Sequence, residues 1–296
     1  MECFETETLT ECLLCGSRVI GTLDPYASLS ICRSCGYIFD NPRPTLGALV
    51  NFYSKPAKYD SWLSEEGARD RLWTRRLKKM RRTARPGNLL DIGAGIGQLL
   101  HLARHEYTEI SGTEVSSSAV EIARRKYGIQ LHHGTLETLS VPQKSFDNIT
   151  LFHVLEHVPN PRLVIEKCVF LLRESGVLVI AVPRDYHPLK CRTRRILGEM
   201  GVRRYHGASR SGLAKIQLDG SMGEIHLSHF TPSVLRQLLE GCGLSIIQES
   251  VDPYRVPSDG LQGLKQDVKC WVAVAVLALS GRNVYDSIWM VGQKKM

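Results

Sequence analysis

The sequence predicts an α/β fold, a parallel sheet with helices on both faces, preceded by a small four-cysteine unit. Between residues 87 and 183, short β-rich runs alternate with longer helical ones, the pattern of parallel strands joined by crossover helices. One strand-to-helix junction, "LLDIGAGIGQLL" at 89–100, is rich in glycine. Two Cys-x-x-Cys pairs, Cys12 with Cys15 and Cys32 with Cys35, lie within the first 40 residues.

Composition sets the frame for these features. A chain of 296 residues, 43% hydrophobic and 23% charged, suits one full-sized globular domain with a small appendage. The amino terminus, "MECFETETLT", is acidic and lacks an apolar leader core, and the longest apolar run, "WVAVAVLALS" at 271–280, is too short to span a bilayer. The expected compartment is the cytoplasm, where thiols stay reduced, so the paired cysteines are expected to bind metal and not to form disulfides. Cys3, Cys168, Cys191, Cys242 and Cys270 have no ligand spacing and are expected to be buried or free.

Element by element, residues 1–40 form the cysteine unit, 41–86 a helical linker and 87–296 the main domain. The four thiols have the spacing of a zinc ribbon, and an all-cysteine tetrahedral site leaves no position for water, so structural zinc is expected. In the linker, "NPRP" and "NFYSKPAKYD" precede a basic helix that stops at "RPGN". That helix, "RDRLWTRRLKKMRRTAR" at 69–85, has nine basic residues against one acidic; Leu72, Trp73, Leu77 and Met80 mark an apolar face, leaving the cations on a solvated one. The sheet runs through "NLLDI", "TEISGTEV", "IQLHHG", "SFDNITLFHV" and "VLVIAVP", with helices "GQLLHLARHEY", "SSSAVEIARRKYG" and "PNPRLVIEKCVFLLRESG" between them. After Pro183 the alternation fails: residues 184–230 are polar, basic and Gly-rich, as in an active-site lid. A helix "TPSVLRQLLEGCG", a strand "LSIIQES", an apolar helix and a last strand "DSIWMVGQ" complete the chain.

The glycine turn points to a ligand. Gly93, Gly95 and Gly97 let it approach the backbone, and the helix start offers free amides. The spacing is G-x-G-x-G, and not the G-x-G-x-x-G of a dinucleotide site. Asp91, just before the turn, would repel a pyrophosphate and suits a cationic ligand. Glu114, ending the next strand, is placed to hold both hydroxyls of a ribose.

With these residues the chain, over about 87–296, resembles the class I S-adenosylmethionine-dependent methyltransferases. "LLDIGAGIG", Glu114, "SFDNITLFHVLEHVPNP", "GVLVIAVP" and "HLSHFTPSVLRQLLEGCGL" follow their motifs in order. The resemblance implies a Rossmann-like, doubly wound, mostly parallel seven-stranded sheet with its last strand antiparallel, and S-adenosylmethionine as cofactor. It implies that Gly93 and Gly95 pass the methionine moiety with Asp91 beside it, that Glu114 takes the ribose, and that Phe152 and His153 border the sulfonium. Where the family often has an acid for the adenine, this chain reads "HHGTLETL", which leaves Thr135 and Leu136 as backbone contacts. The cysteine front followed by "FDNPRP" resembles a bacterial group of methyltransferases of small metabolites and sugars. It also resembles the front of nucleotide-sugar C-methyltransferases, which carry a further long domain.

"HVLEHV" sets His153, Glu156 and His157 at i, i+3 and i+4, one helical face if the strand passes into a helix there, and "EIHLSH" adds His226 and His229. Such a cluster can bind a divalent cation, supply a general base, or serve packing alone. The metal arrangement resembles that of small-RNA 2'-O-methyltransferases and ubiquinone-pathway O-methyltransferases, except that their first position is usually an acid. The leading expectation is a methyltransferase acting on a small-molecule acceptor, a metabolite, sugar or natural-product intermediate methylated on oxygen or carbon, with the basic charge as one reason for an anionic one. The alternatives are an RNA or protein methyltransferase docking through the basic helix and lid, or a donor-binding scaffold without turnover. The ribbon loop, with Arg18 its one base, argues against a nucleic-acid reader.

Overall fold

The computed structural model describes residues 4–53, 60–202, 209, 211–219, 221–252 and 260–295. Most of the "NFYSKPAKYD" stretch and, in the lid, residues 203–208, 210 and 220 lie outside the described residues, as does Cys3.

The front of the chain is a set of short antiparallel strands. β1 (Thr6–Glu7) pairs with a later strand, while β2 (Ile20–Asp24), β3 (Leu29–Cys32) and β4 (Ile38–Asp40) form a meander, and β5 (Arg43–Pro44) returns to β1. The two cysteine pairs sit at the meander's loops: Cys12 and Cys15 lead into β2, and Cys32 and Cys35 flank the turn from β3 to β4. Three helices follow, α1 (Leu46–Tyr53), α2 (Asp60–Ser64) and α3 (Glu66–Met80). α3 is rich in Leu, Arg and Lys, good helix formers, and buries Leu72, Leu77 and Met80.

Basic residues of α3 depart from the solvated face expected for them. Arg76 is buried and donates through Nε to Asp252 at 3.1 Å, with a second bond from Nη2 to the same carboxylate. Lys79 also turns inward, donating to the Val251 carbonyl and lying 4.2 Å from the centre of the Trp289 ring.

The main sheet has seven strands: β6 (Asn88–Ile92), β7 (Glu109–Glu114), β8 (His132–His133), β9 (Phe146–Phe152), β10 (Leu172–Pro183) and two others near the end of the chain. Between them run α4 (Gln98–Ala103), α5 (Ser117–Ile122), which continues as a π-helical turn over Ala123–Tyr127, and α6 (Pro161–Leu171). The stretch 184–230, expected to be a lid and called the lid below, contains α7 (Pro188–Glu199) and ends in β11 (Ser228–His229). Then come α8 (Pro232–Gly241), β12 (Leu244–Ser250), α9 (Gly260–Ser280) and β13 (Ser287–Lys294). Across the sheet the order is β12-β13-β10-β9-β6-β7-β8. β13 is antiparallel to both β10 and β12, and the pairs among β6–β10 are parallel.

Strand alternation sorts the core into two faces. Leu178, Ile180 and Val182 of β10 pack with α6, α8 and the front unit (Tyr37, Phe39), whereas Val177, Val179 and Ala181 pack with α3 and α4. The sequence reads as helix through Gly176, but α6 stops at Leu171 and β10 begins at once, with a register shift between Leu172 and Val177. The extra residues bulge out of the ladder, with Ser175 in the left-handed region at φ 62°.

β11 does not join the main sheet. It pairs with β4, Ser228 opposite Phe39 and His229 opposite Ile38, so the lid's end is the fourth strand of the front sheet. Asp24, fully buried on β2, holds the lid a second time by accepting from the hydroxyls of Ser209 and Ser211 and from the Ser211 amide. Tyr37 adds a 2.6 Å hydroxyl contact to Ser228.

The Arg76–Asp252 pair yields a stability prediction. Removing one partner strands a buried charge, so Arg76→Ala should lose about 3–5 kcal/mol in urea unfolding. The Arg76→Ala/Asp252→Ala double variant should recover part of that loss, because no charge then stays buried alone; additive losses would show that the two side chains are not coupled.

Candidate active site

The glycine turn is built closely enough to exclude side chains. Gly93 and Gly95 take φ of 67° and 56°, and a Cβ on them would lie 2.5 Å from a Val154 methyl and 2.6 Å from the Trp62 ring. The Gly95 amide donates to Glu114 Oε2 at 2.8 Å and the Ser116 amide to Glu114 Oε1 at 2.9 Å, so this carboxylate spans the ends of β6 and β7. Gly97, also left-handed, is the N-cap of α4.

Asp91 lies under the turn, buried, accepting 2.6 Å from the Thr150 hydroxyl. Burial pushes its carboxyl up to about 7; the Thr150 bond and Arg76 oppose this, and the charge of Glu114 adds to it. Thr135 stands just before the short 3-10 turn Leu136–Thr138 without a side-chain capping bond, and the Leu136 side chain is committed to the core. Phe152 ends β9 with Trp73 edge-on at 5.8 Å, Trp289 at 5.5 Å and the Arg76 guanidinium 4.9 Å from its ring centre.

The histidine rim does not lie on a helix. Residues 153–159 form turns, with His153 at φ 56° and the His157 amide donating to the Val154 carbonyl at 2.9 Å. The turn separates the expected group. His153 points Nε2 at Asp252 (3.2 Å), with Nδ1 3.4 Å from Glu156 Oε1. Glu156, His157 and His226 come together, one ligand atom of each lying within 4.8 Å of the others. Both Glu156 oxygens are buried without a hydrogen-bond partner among the described residues.

Each of the two grouped histidines is fixed through Nδ1. His157 Nδ1 lies 2.6 Å from the Ile225 carbonyl, which can only accept, so this nitrogen carries the proton and Nε2 faces Glu156 at 3.8 Å. Tyr53 supports it, its hydroxyl 3.0 Å from the same nitrogen, donating to the Ile225 carbonyl and accepting from the Ile225 amide. His226 Nδ1 donates to Asp185 at 2.7 Å. Asp185 also takes His229 Nδ1 at 3.4 Å, and His229 Nε2 donates to Asp40 at 2.9 Å. Burial lowers the pKa of His229, but the carboxylates at its two nitrogens, Asp185 and Asp40, raise it overall. Burial lowers His157; it also opposes the rise of His226, which Asp185 nonetheless lifts to about 10.

Asp185, Asp252, Tyr53, Arg76 and Asp40 are absent from the residues singled out by sequence. The two aspartates had a readable signal, since each stands just past a strand end, Asp185 after β10 and Asp252 after β12, and ligands in α/β sheets bind outside such ends. Arg69 is a further addition: its guanidinium lies 3.7 Å over the Trp62 ring, and its Nε is buried with no hydrogen-bond partner among the described residues.

Asp91 carries a measurable cost. Its folded pKa of about 7 exceeds the 3.8 of an ordinary aspartate, so its contribution is fully present below pH 3.8 and lost as pH rises to about 7. Asp91→Asn, which keeps an acceptor for Thr150, should therefore be the more stable protein at pH 8, by roughly 4 kcal/mol at most, and equal to wild type near pH 4. Thermal unfolding of both proteins without ligand at the two pH values checks this; a variant less stable at pH 8 would refute it.

Comparison with known proteins follows the same segment. A family profile described as "Methyltransferase domain" matches residues 65–249. The chain is 31% identical over 103 residues to a ubiquinone biosynthesis O-methyltransferase of Haemophilus ducreyi, covering 31% of this chain and 44% of that one. It is 29% identical over 101 residues to the protein of that description from Coxiella burnetii, covering 32% and 43%. The chain thus spans less than half the length of these curated relatives. Among solved structures, a candidate S-adenosylmethionine dependent methyltransferase of Listeria monocytogenes superposes with a TM-score of 0.53 at 14% identity, covering 78% of this chain and 100% of the other. A SAM-dependent methyltransferase of Thermotoga maritima gives 0.50 at 17%, covering 83% and 100%. At such identities the superpositions speak for the fold alone, and the profile, spanning more than half of the chain, supplies the family: the chain belongs to the methyltransferase domain family.

Proposed function

We propose that this protein transfers a methyl group from S-adenosylmethionine to a small acceptor enclosed by the lid. The observation that carries the reading is the Gly93–Gly97 turn with a buried acid on either side, Asp91 beneath it and Glu114 at the next strand end. Asp91 pairs with the donor's ammonium group. Gly93, Gly95 and Gly97 admit its methionine part, and Arg69, a cation with an unused buried donor, takes the carboxylate. Glu114 receives the ribose hydroxyls, Thr135 and Leu136 border the adenine with backbone groups, and Phe152 and His153 flank the sulfonium. The acceptor attacks the methyl carbon in line as the carbon–sulfur bond breaks, leaving a neutral thioether. Orientation of the two reactants supplies a large part of the rate. The basic lid favours an anionic acceptor.

Glu156, His157 and His226 fit a divalent cation, with one buried carboxylate that accepts no hydrogen bond among the described residues and two imidazoles whose Nδ1 atoms are already engaged. Bound there, a cation supplies Lewis acidity to an acceptor hydroxyl. Ile225, Tyr53 and Asp185 hold the two rings in place.

The front unit is read as a structural zinc site of Cys12, Cys15, Cys32 and Cys35. Sulfur separations of 3.6 Å for Cys12–Cys35 and for Cys15–Cys32 support it, being close to the edge of a tetrahedron with Zn–S bonds of about 2.3 Å. Because β11 pairs with β4, this zinc holds the lid's end as well as the ribbon.

Calorimetric titration with S-adenosylmethionine should give saturable binding that Asp91→Ala abolishes, and no heat up to millimolar donor would overturn the reading. With radiolabelled donor and a fractionated extract of its own cells, Glu156→Gln should lower turnover about a hundredfold while donor affinity stays unchanged. Equal turnover would remove the rim from the chemistry. Metal analysis should find one zinc per chain beyond any rim cation, and Cys15→Ser should lose both that zinc and transfer activity while still binding donor.

A further inference from the structure

Helix α9 carries its apolar stripe on the wrong side for packing. Leu264, Val268, Trp271, Ala275 and Leu279 recur at three- and four-residue intervals, so they share one face, and all are exposed. Trp271 is 77% exposed and Leu279 89%. Val272, beside the stripe, is exposed as well. Among the described residues of α9 only Ala273, on the opposite face, is buried. A contiguous exposed stripe with a central tryptophan is an interaction surface, not ordinary surface scatter.

Cations border this stripe. Lys265 and Lys269 lie along one flank of α9 and are exposed. On the other, Asp267 is bound by both Nη atoms of Arg75 at 2.8 and 3.2 Å, which sets α3 alongside. α3 presents Arg71, Arg75 and Lys78 at four- and three-residue spacing, all exposed. The surface is therefore an apolar ridge between two basic borders. An apolar ridge of this kind, about 30 Å long for 21 residues, fits in the plane of a membrane interface, its side chains among the acyl chains and its cations at anionic headgroups. No described helix is long and apolar enough to cross a membrane, so α9 would lie on the bilayer, not span it.

Other occupants fit less well. A second copy packed symmetrically on this face would bring the same cationic borders against each other, on a chain whose net charge is already +8. A polyanion such as RNA would meet the cations but leave the ridge in water. We propose that the α3–α9 face docks this protein on the surface of an anionic lipid bilayer.

The test is co-sedimentation of the full chain with vesicles of pure phosphatidylcholine and of an equimolar phosphatidylcholine–phosphatidylglycerol mixture. Binding to the mixed vesicles should exceed binding to the pure ones by about tenfold or more and fall with added salt. Trp271→Glu should abolish it, and Lys265→Glu/Lys269→Glu should weaken it about tenfold or more, with donor binding and the thermal midpoint unchanged in both variants. All these side chains are exposed on a helix flank, so folding should survive. Three results would overturn the proposal: no binding to the mixed vesicles, binding that Trp271→Glu leaves intact, or a wild-type dimer in analytical ultracentrifugation that Trp271→Glu converts to monomer. The last would assign the face to a second copy.

Discussion

A run of charged side chains, buried at Asp40 and His229 and half-buried at Asp185 and His226, connects the front sheet to the candidate active site. Asp40 on β4 receives His229, His229 also reaches Asp185, and Asp185 holds His226, which stands with Glu156 and His157. Two acids and two histidines alternate, so each carboxylate faces at least one imidazole and each imidazole at least one carboxylate. The charges that burial would otherwise penalise are paired. Asp185, flanked by both rings, is held well below the usual carboxylate range although burial opposes it. The position of His226 thus depends on a strand of the front sheet as much as on its own loop.

A second buried charge group lies at the other end of the rim. Asp252, at the end of β12, takes Arg76 from α3 and His153 from the turn after β9, and burial does not prevent these two from holding it well below the usual range. The arrangement explains why His153 and His157 have different surroundings despite their near-repeat in sequence. His153 is bound toward the α3 side of the sheet and His157 toward the lid. Glu156 sits between them, 3.4 Å from the Nδ1 of one and 3.8 Å from the Nε2 of the other.

The α/β fold was legible because period-two strands and longer helices leave local traces, and the glycine turn is local too. Asp91, Gly93, Gly95 and Gly97 lie within seven residues, and their geometry follows from strand, turn and helix in immediate succession. The rim was legible only as a cluster of residue types. The partners of the rim come from distant strand ends, 41 residues away for His226–Asp185 and 99 for His153–Asp252, and such pairings leave no periodic signal. Arg76 is hidden for a different reason: within a run of like cations, nothing local separates the one that faces a buried aspartate from those that face water. The end of α6 was misread because "FLLRESGVLVI" stays apolar on both sides of the break, and a bulge absorbs the change.

The pairing of β4 with β11 also bears on how the chain is made. Asp40 and His229 are 189 residues apart, so β4 leaves the ribosome long before its neighbour exists. At about 5–20 residues per second the delay is on the order of 10–40 s. During that interval the front sheet has an open edge at β4, a template for pairing with the wrong strand. The front sheet is therefore begun first and completed only after five strands of the main sheet have been made, and growing chains would be exposed to misassembly there until residues 228–229 arrive.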